Sequence, residues 1–269
     1  MKSPLRYPGG KSRAVKIIKD FIPEGIDTLA SPFFGGGSVE LYFASQGVKV
    51  RGYDLLQPLC WFWTALMQDN KALAEMADSF RELHEDFPLG KRGLTRDSFN
   101  NLKRELREQE SYSIYNAAAF YALNRSSFSG ATLSGGYSKR SAWERFTDNS
   151  ISNIETIPDV DVSVENKSFE QSIAENPDAF LYCDPPYLQE VGNNLYGNSG
   201  DLHENFDHEK LRDILVSRKD WLLSYNDCPE IRELYRGYEI INTAWAYGMK
   251  NAHGQKQMKE SSEVLILGN

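Results

Sequence analysis

Hydrophobic positions follow two rhythms along the chain. Short apolar runs at 28–31, 48–53, 160–165, 179–183 and 221–225 read as strands. Between them, i, i+3, i+4 spacing predicts helices over 11–21, 39–44, 169–174, 206–216 and 230–235. Strands alternating with helices predict a parallel, doubly wound α/β sheet. Runs at 238–246 and 263–267, joined by the polar, basic stretch 248–260, predict a closing antiparallel hairpin. From 59 to about 153 the rhythm is helical, at 59–68, 70–86, 95–110, 113–125 and 141–154, with no sustained strand alternation. The expected organisation is a core of 1–58 and 155–269 carrying an inserted helical subdomain of 59–154.

The run 179–183 ends abruptly in Asp184-Pro185-Pro186-Tyr187. Pro185 restricts Asp184 to extended backbone, and neither proline donates a ladder hydrogen bond, so the strand must stop. Ligands of open α/β sheets bind at the carboxyl ends of strands. A carboxylate, a bare carbonyl and an aromatic face suit a flat heterocycle with an exocyclic amine. Asp184 would accept one N–H, the Pro185 carbonyl the other, and Tyr187 would stack on the ring. Asp-Pro alone is ordinary turn chemistry; the four-residue cluster after a buried strand is more specific.

Two glycine-bearing turns lie upstream. Leu5-Arg6-Tyr7-Pro8-Gly9-Gly10-Lys11 leads into the first helix, and its glycines let backbone approach a ligand closely. The strand at 28–31 runs into Pro32-Phe33-Phe34-Gly35-Gly36-Gly37-Ser38 and a helix, the nucleotide-binding half of a doubly wound fold. Glu40 stands where a dinucleotide fingerprint has its third glycine. An acid in the first helical turn repels a pyrophosphate, so a phosphate-free nucleoside cofactor fits better. The strand at 48–53 ends in Asp54, placed to hold both ribose hydroxyls or to cap the next helix.

At 269 residues the chain has room for one α/β core and an insertion. It has no apolar run approaching a membrane span and a polar N-terminus that predicts no signal peptide. Cys60, Cys183 and Cys228 lack metal-like spacing and the four histidines are scattered; we expect reduced thiols, no metal and a cytoplasmic protein. The net charge of −8 argues mildly against nucleic acid, but it is unevenly spread. Between Asp86 and Arg145 ten Lys/Arg meet six acids, a net +4, leaving −12 elsewhere. That fits a phosphate-facing segment on an acidic core, although a solvated helix face explains 95–110 equally well. At its centre the stretch 124–140, rich in Ser and Gly, reads as a mobile loop. It could contact phosphates and wedge an aromatic between bases; composition fits a plain flexible loop as well.

In order and spacing these parts resemble an alpha-group DNA adenine-N6 methyltransferase, of the Dam-like D12 class, over essentially the whole chain. Residues 7–11 are similar to its motif X, 32–38 to motif I, and Asp54 to its ribose-binding acid. Asn124-Arg125-x-x-Phe128-x-Gly130 is similar to a recognition-domain signature, 184–187 to motif IV and 262–266 to the closing strand. The resemblance implies a Rossmann-like methyltransferase sheet, mostly parallel with an antiparallel terminal strand, and a helical DNA-recognition insertion. It implies S-adenosylmethionine as cofactor, double-stranded DNA as partner, a cognate restriction endonuclease as a further partner, and a monomer. Cofactor contacts are implied for Tyr7, Gly10, Lys11, Phe34, Gly35, Gly37, Ser38, Asp54 and Asp184. Phe169 would pack on the cofactor's adenine or in the core. DNA contacts are implied for Asn124, Arg125, Phe128, Ser129, Lys139 and Arg140. Two residues depart from the pattern. Ser31 stands where the family has an acid that helps hold the cofactor's amino group. Leu133 stands where GATC-reading members carry an arginine, and leucine has no polar atom to read guanine.

The mechanism this implies begins with eversion of the target adenine from the duplex. Tyr187 stacks on it, Asp184 and the Pro185 carbonyl accept its amine protons, and the methyl moves by direct in-line displacement. Other readings compete. The acceptor could be cytosine N4 or RNA. A nicotinamide-dependent dehydrogenase is disfavoured by Glu40, and a silent DNA-binding module by the intact 184–187 cluster.

Overall fold

A computed structural model describes residues 1–188, 206–246 and 260–268. The segment 193–205, whose Gly, Asn and Ser read as a loop, and, apart from Glu260, the basic stretch expected at 248–260 lie outside the described residues. The chain opens with a short α1 (Val15–Ile18), then β1 (Thr28–Ser31), α2 (Ser38–Ala44) and β2 (Lys49–Asp54). The helical block follows: α3 (Gln57–Gln68), α4 (Asn70–Ser79), the short strands β3 (Glu82–Leu83) and β4 (Arg92–Gly93), α5 (Arg96–Glu108), α6 (Ile114–Ser126), α7 (Lys139–Glu144) and α8 (Asp148–Glu155). Strand–helix alternation resumes with β5 (Val162–Asn166), α9 (Phe169–Glu175), β6 (Phe180–Cys183), α10 (His208–Val216), β7 (Trp221–Asn226) and α11 (Pro229–Leu234), and closes with β8 (Glu239–Ala246) and β9 (Glu260–Gly268).

The seven strands of the main sheet run β5-β2-β1-β6-β7-β9-β8. All neighbours are parallel except β9, antiparallel to both β7 and β8. Connections from β1 run outward to β2, and the other half of the sheet starts at β6. The switch point therefore falls between β1 and β6, where a crevice opens at the strands' carboxyl ends. The mostly parallel Rossmann-like sheet with an antiparallel terminal strand is as the sequence led us to expect.

Three expectations are corrected. The helix expected over 11–21 is only α1 plus a 3-10 turn at Lys19–Phe21, because the chain before it bends to carry Lys11 inward. The helix expected over 70–86 stops at Ser79. Arg81 turns inward there to pair with Asp78 and Asp148, both at 2.7 Å, and the antiparallel pair β3–β4 follows, a strand pairing the helical rhythm concealed. The segment expected over 141–154 is two helices, because the Thr147 side chain caps α8 in a reciprocal capping box with Ser150.

The helical block shares its core with one face of the sheet. Phe62 on α3 stacks on Tyr121 of α6, with ring centroids 5.5 Å apart, while its neighbour Trp63 meets Phe34 edge-on at 5.1 Å. These rings join Leu29, Val50 and Val162 of the sheet in one continuous apolar cluster. Each such side chain contributes about 1.5–3 kcal/mol on burial. The block is thus anchored to the crevice's rim. The opposite face is closed by Phe169, Leu211, Leu215, Trp221 and Tyr235.

Candidate active site

Asp184 follows directly on β6 at the switch point. One carboxylate oxygen lies 2.8 Å from Lys11 Nζ, and the other accepts a hydrogen bond from Ser224 on β7 at 2.7 Å. Since Ser224 donates there, it accepts from the Tyr182 hydroxyl, 3.4 Å away. Lys11 is itself buried and also faces Glu263 on β9 at 3.8 Å. The Tyr187 hydroxyl donates to Glu263 at 2.8 Å, and Lys11 Nζ sits 4.9 Å from the Tyr187 ring centroid. Lys11 thus pairs with Asp184 and, through the longer contact to Glu263, sits beside the acid that anchors Tyr187. Pro185, between them, is buried.

The glycine loop lies alongside. A side chain at Gly36 would meet Tyr7 Cβ at 2.7 Å, so glycine is what lets Tyr7 pack flat on the loop. Gly10 closes the turn that carries Tyr7 by donating to the Tyr7 carbonyl at 3.1 Å. Gly35 donates to Asp54 at 3.0 Å, and its carbonyl accepts from the Trp63 indole at 3.1 Å. Asp54 also accepts from Leu56 N–H at 2.9 Å. Burial raises the Asp54 carboxyl above its ordinary pKa, and these two N–H groups oppose the rise. Gly37 and Ser38 open α2.

Phe34 needs correction. Its ring turns into the core beneath Gly52, where a Cβ would lie only 2.1 Å away, so its side chain does not face the crevice. The partly exposed aromatic of the loop is Phe33. It joins Phe169 at 5.8 Å and Phe206 at 5.6 Å in a cluster of three rings.

The segment expected to contact DNA divides in two. Asn124 has no exposed surface: its side chain bonds both the N–H and the carbonyl of Arg6, the Gly130 carbonyl and the Thr132 hydroxyl. Arg125 donates to the carbonyls of Arg145 and Pro4. Both side chains are spent on the protein's own backbone, so they do not present themselves to DNA as expected; they tie the recognition segment to residues 4–6. Gly130 completes the tie, with φ +78° and the Arg6 carbonyl 2.1 Å from where a Cβ would stand. Phe128, by contrast, is 68% exposed, with Ser129 beside it in the left-handed region at φ 54°. Lys139 and Arg140 are exposed at the start of α7, paired with Asp86 at 2.7 Å and Glu144 at 2.9 Å. The stretch expected as a mobile loop is pinned at Leu133, which is buried and whose carbonyl accepts from Arg107 at 2.9 Å.

Sequence reasoning missed Glu263, Ser224 and Arg6. Glu263 carried a signal, an acid inside an otherwise apolar closing strand. Glu40 was noticed as an obstacle to phosphate, not for where its carboxyl goes. It is 3% exposed and accepts from the Ser31 hydroxyl at 2.7 Å, and burial pushes it up to a pKa of about 7.

Compared with known families, residues 7–249 match the one described as D12 class N6 adenine-specific DNA methyltransferase. No curated protein matches the chain.

Proposed function

Because the chain belongs to the D12 class N6 adenine-specific DNA methyltransferases, we propose that Asp184, Pro185 and Tyr187 receive the target adenine, with Tyr7, Lys11, the glycine loop and Asp54 around the methyl donor. The enzyme is a site-specific DNA adenine methyltransferase that uses S-adenosylmethionine. The dehydrogenase, cytosine or RNA, and silent-binder readings fall with that membership. The observation that carries the residue assignment is the Lys11–Asp184–Ser224 group at the switch point, beside the glycine loop.

The donor set fits the cofactor. Each Asp54 oxygen already accepts one backbone N–H and keeps lone-pair capacity for a ribose hydroxyl. Phe33, partly exposed beside Phe169, offers an apolar ring, and the first turn of α2 carries an acid, Glu40, that disfavours a phosphate. S-adenosylmethionine supplies an electrophilic methyl group on a sulfonium. Asp184, held by Lys11 and Ser224, has its carboxylate fixed before substrate arrives, so little reorganisation remains at the reacting amine. Asp184 and the Pro185 carbonyl accept the two amine hydrogens and draw the nitrogen lone pair out of the ring. Tyr187, its hydroxyl anchored on Glu263, presents its face to the everted base.

On the DNA side Phe128 is the exposed wedge, Ser129 flanks it, and Lys139 and Arg140 meet phosphates. Exposed ion pairs such as theirs hold only about 0–1 kcal/mol and are readily exchanged. The block 59–154 serves as the recognition domain. The reading carries with it a cytoplasmic monomer, alone or beside a cognate restriction endonuclease; no described helix is long and apolar enough to cross a membrane.

The test is methylation of duplex DNA by the purified chain, with digested nucleosides identified by mass spectrometry. N6-methyladenine is expected from the wild type and none from a folded Asp184→Ala variant. Full activity in that variant would refute the residue assignment.

A further inference from the structure

The crevice contains a buried acid that the scheme above leaves without a task. Glu40 sits in the first turn of α2, immediately after the glycine loop. Its carboxyl reaches back to the tip of β1, where it accepts from Ser31 Oγ at 2.7 Å. Among the described residues no cation pairs with it, and the charge acting on it is the like charge of Asp184. A carboxylate withdrawn from water is costly unless a positive group meets it. A partner supplied only by a ligand removes that cost.

The one ligand of this crevice that brings positive charge is the methyl donor, with an α-ammonium at the end of its amino-acid arm. We propose that the Glu40 carboxylate, steadied by the Ser31 hydroxyl, receives that α-ammonium and so selects the amino-acid arm of the cofactor. The assignment rests on the cofactor site described above and deepens it. Asp184 is a poorer receiver, because Lys11 at 2.8 Å already supplies its counter-charge. Ser31 is explained as well: the strand tip carries a hydroxyl because its acid arrives from the helix, nine residues later. Position 40 keeps an acid that a phosphate ligand would not tolerate, since this ligand has no phosphate.

Two ligands separate this role from a structural one. S-adenosylhomocysteine has the α-ammonium; 5′-methylthioadenosine has the same nucleoside and sulfur but no amino-acid arm. Binding of each to the full chain is measured by titration calorimetry for the wild type, Glu40→Gln, and the double variant Ser31→Asp with Glu40→Gln. A lost charge-assisted hydrogen bond corresponds to about ten- to a hundredfold in affinity. We expect Glu40→Gln to weaken S-adenosylhomocysteine by that factor while 5′-methylthioadenosine binds as before, which also shows the site is folded. The double variant, with an acid back on the strand, should recover much of the loss. Equal weakening of both ligands, or of neither, would overturn the proposal. A wild-type chain that binds 5′-methylthioadenosine and S-adenosylhomocysteine equally overturns it too, and one that binds neither overturns the cofactor site beneath it.

Discussion

The ligand-free protein should become more stable, not less, when Glu40 loses its charge. The carboxyl titrates near 4.5 in an unfolded chain and at about 7 in the folded one, raised chiefly by burial and further by Asp184. Below pH 4.5 it is protonated in both states and costs nothing. As pH climbs from 4.5 to 7 the unfolded chain releases its proton first, so folding stability falls. Above 7 the loss is complete, and at about 1.4 kcal/mol per pKa unit it amounts to about 3 kcal/mol. Glu40→Gln keeps the size of the side chain and an acceptor for Ser31, and removes the proton equilibrium. It forgoes the attraction of a helix N-terminus for an acid, about 0.3–1 kcal/mol, which does not reverse the sign. At about 2–4 °C per kcal/mol for a chain of this size, the variant should melt roughly 5–10 °C above wild type at pH 8. The gap should shrink to about 1–3 °C by pH 5. Thermal melts followed by circular dichroism from pH 5 to pH 8 would test this, and saturating S-adenosylhomocysteine should shrink the pH 8 gap by stabilising the wild type more. A variant melting below wild type across the whole range would refute the reasoning, since it would mean that the carboxylate already has its counter-charge inside the fold.

Three other outcomes are expected. Asn124→Ala removes the partner of the Arg6 N–H and of its carbonyl, at about 1–3 kcal/mol per group that stays buried, while the Gly130 carbonyl keeps the Thr132 hydroxyl. It should lower Tm and kcat together; a loss of DNA affinity with unchanged Tm would instead make Asn124 a DNA contact. Lys139→Ala with Arg140→Ala should flatten the salt dependence of DNA binding by about 0.9 in logarithmic slope per phosphate contact removed, read by fluorescence anisotropy, and an unchanged slope would remove both residues from the interface. Tyr187→Phe keeps the ring and loses only the bond to Glu263, so single-turnover methylation should fall mildly. Tyr187→Ala should lose a further 1–3 kcal/mol or so of base stacking, and equal rates for the two variants would rule stacking out.

The architecture was legible because strand and helix periods differ and the glycine loop and proline turn punctuate them. The 184–187 turn could be placed at a strand end from its prolines alone, whereas the direct pairing of Lys11 with Asp184 is seen only in the fold. What stayed hidden depends on side chains that bond across long sequence separations. Nothing local at Asn124 tells that its amide clasps Arg6, 118 residues away, instead of a base. Phe33 and Phe34 are identical by composition; only the absence of a side chain at Gly52 decides which one turns inward. The β3–β4 pair was lost because two-residue strands have no period to detect. Arg81, which ends α4, sits in what reads as continuous helix.

The uneven charge seen in the sequence acquires a physical sense at the site. Asp184, Glu263 and Glu40 lie at the crevice, and Lys11 pairs with the first two while no described cation pairs with Glu40. Burying such a group yields little stability compared with apolar side chains of similar volume, so stability does not explain it. A water-poor crevice with excess negative charge attracts a cationic sulfonium bearing an ammonium and repels a phosphate chain. On the proposed reading, DNA is held from outside, on the basic 86–145 segment, while a single base enters. The two surfaces are not independent. Residues 4–6 are clamped by Asn124, Arg125 and Gly130, and five residues after Arg6 the same segment brings Lys11 to Asp184. So short a span, at most about 3.5 Å per residue, has little slack. The segment expected to meet DNA and the Lys11–Asp184 pair are thus joined by a connection of five residues.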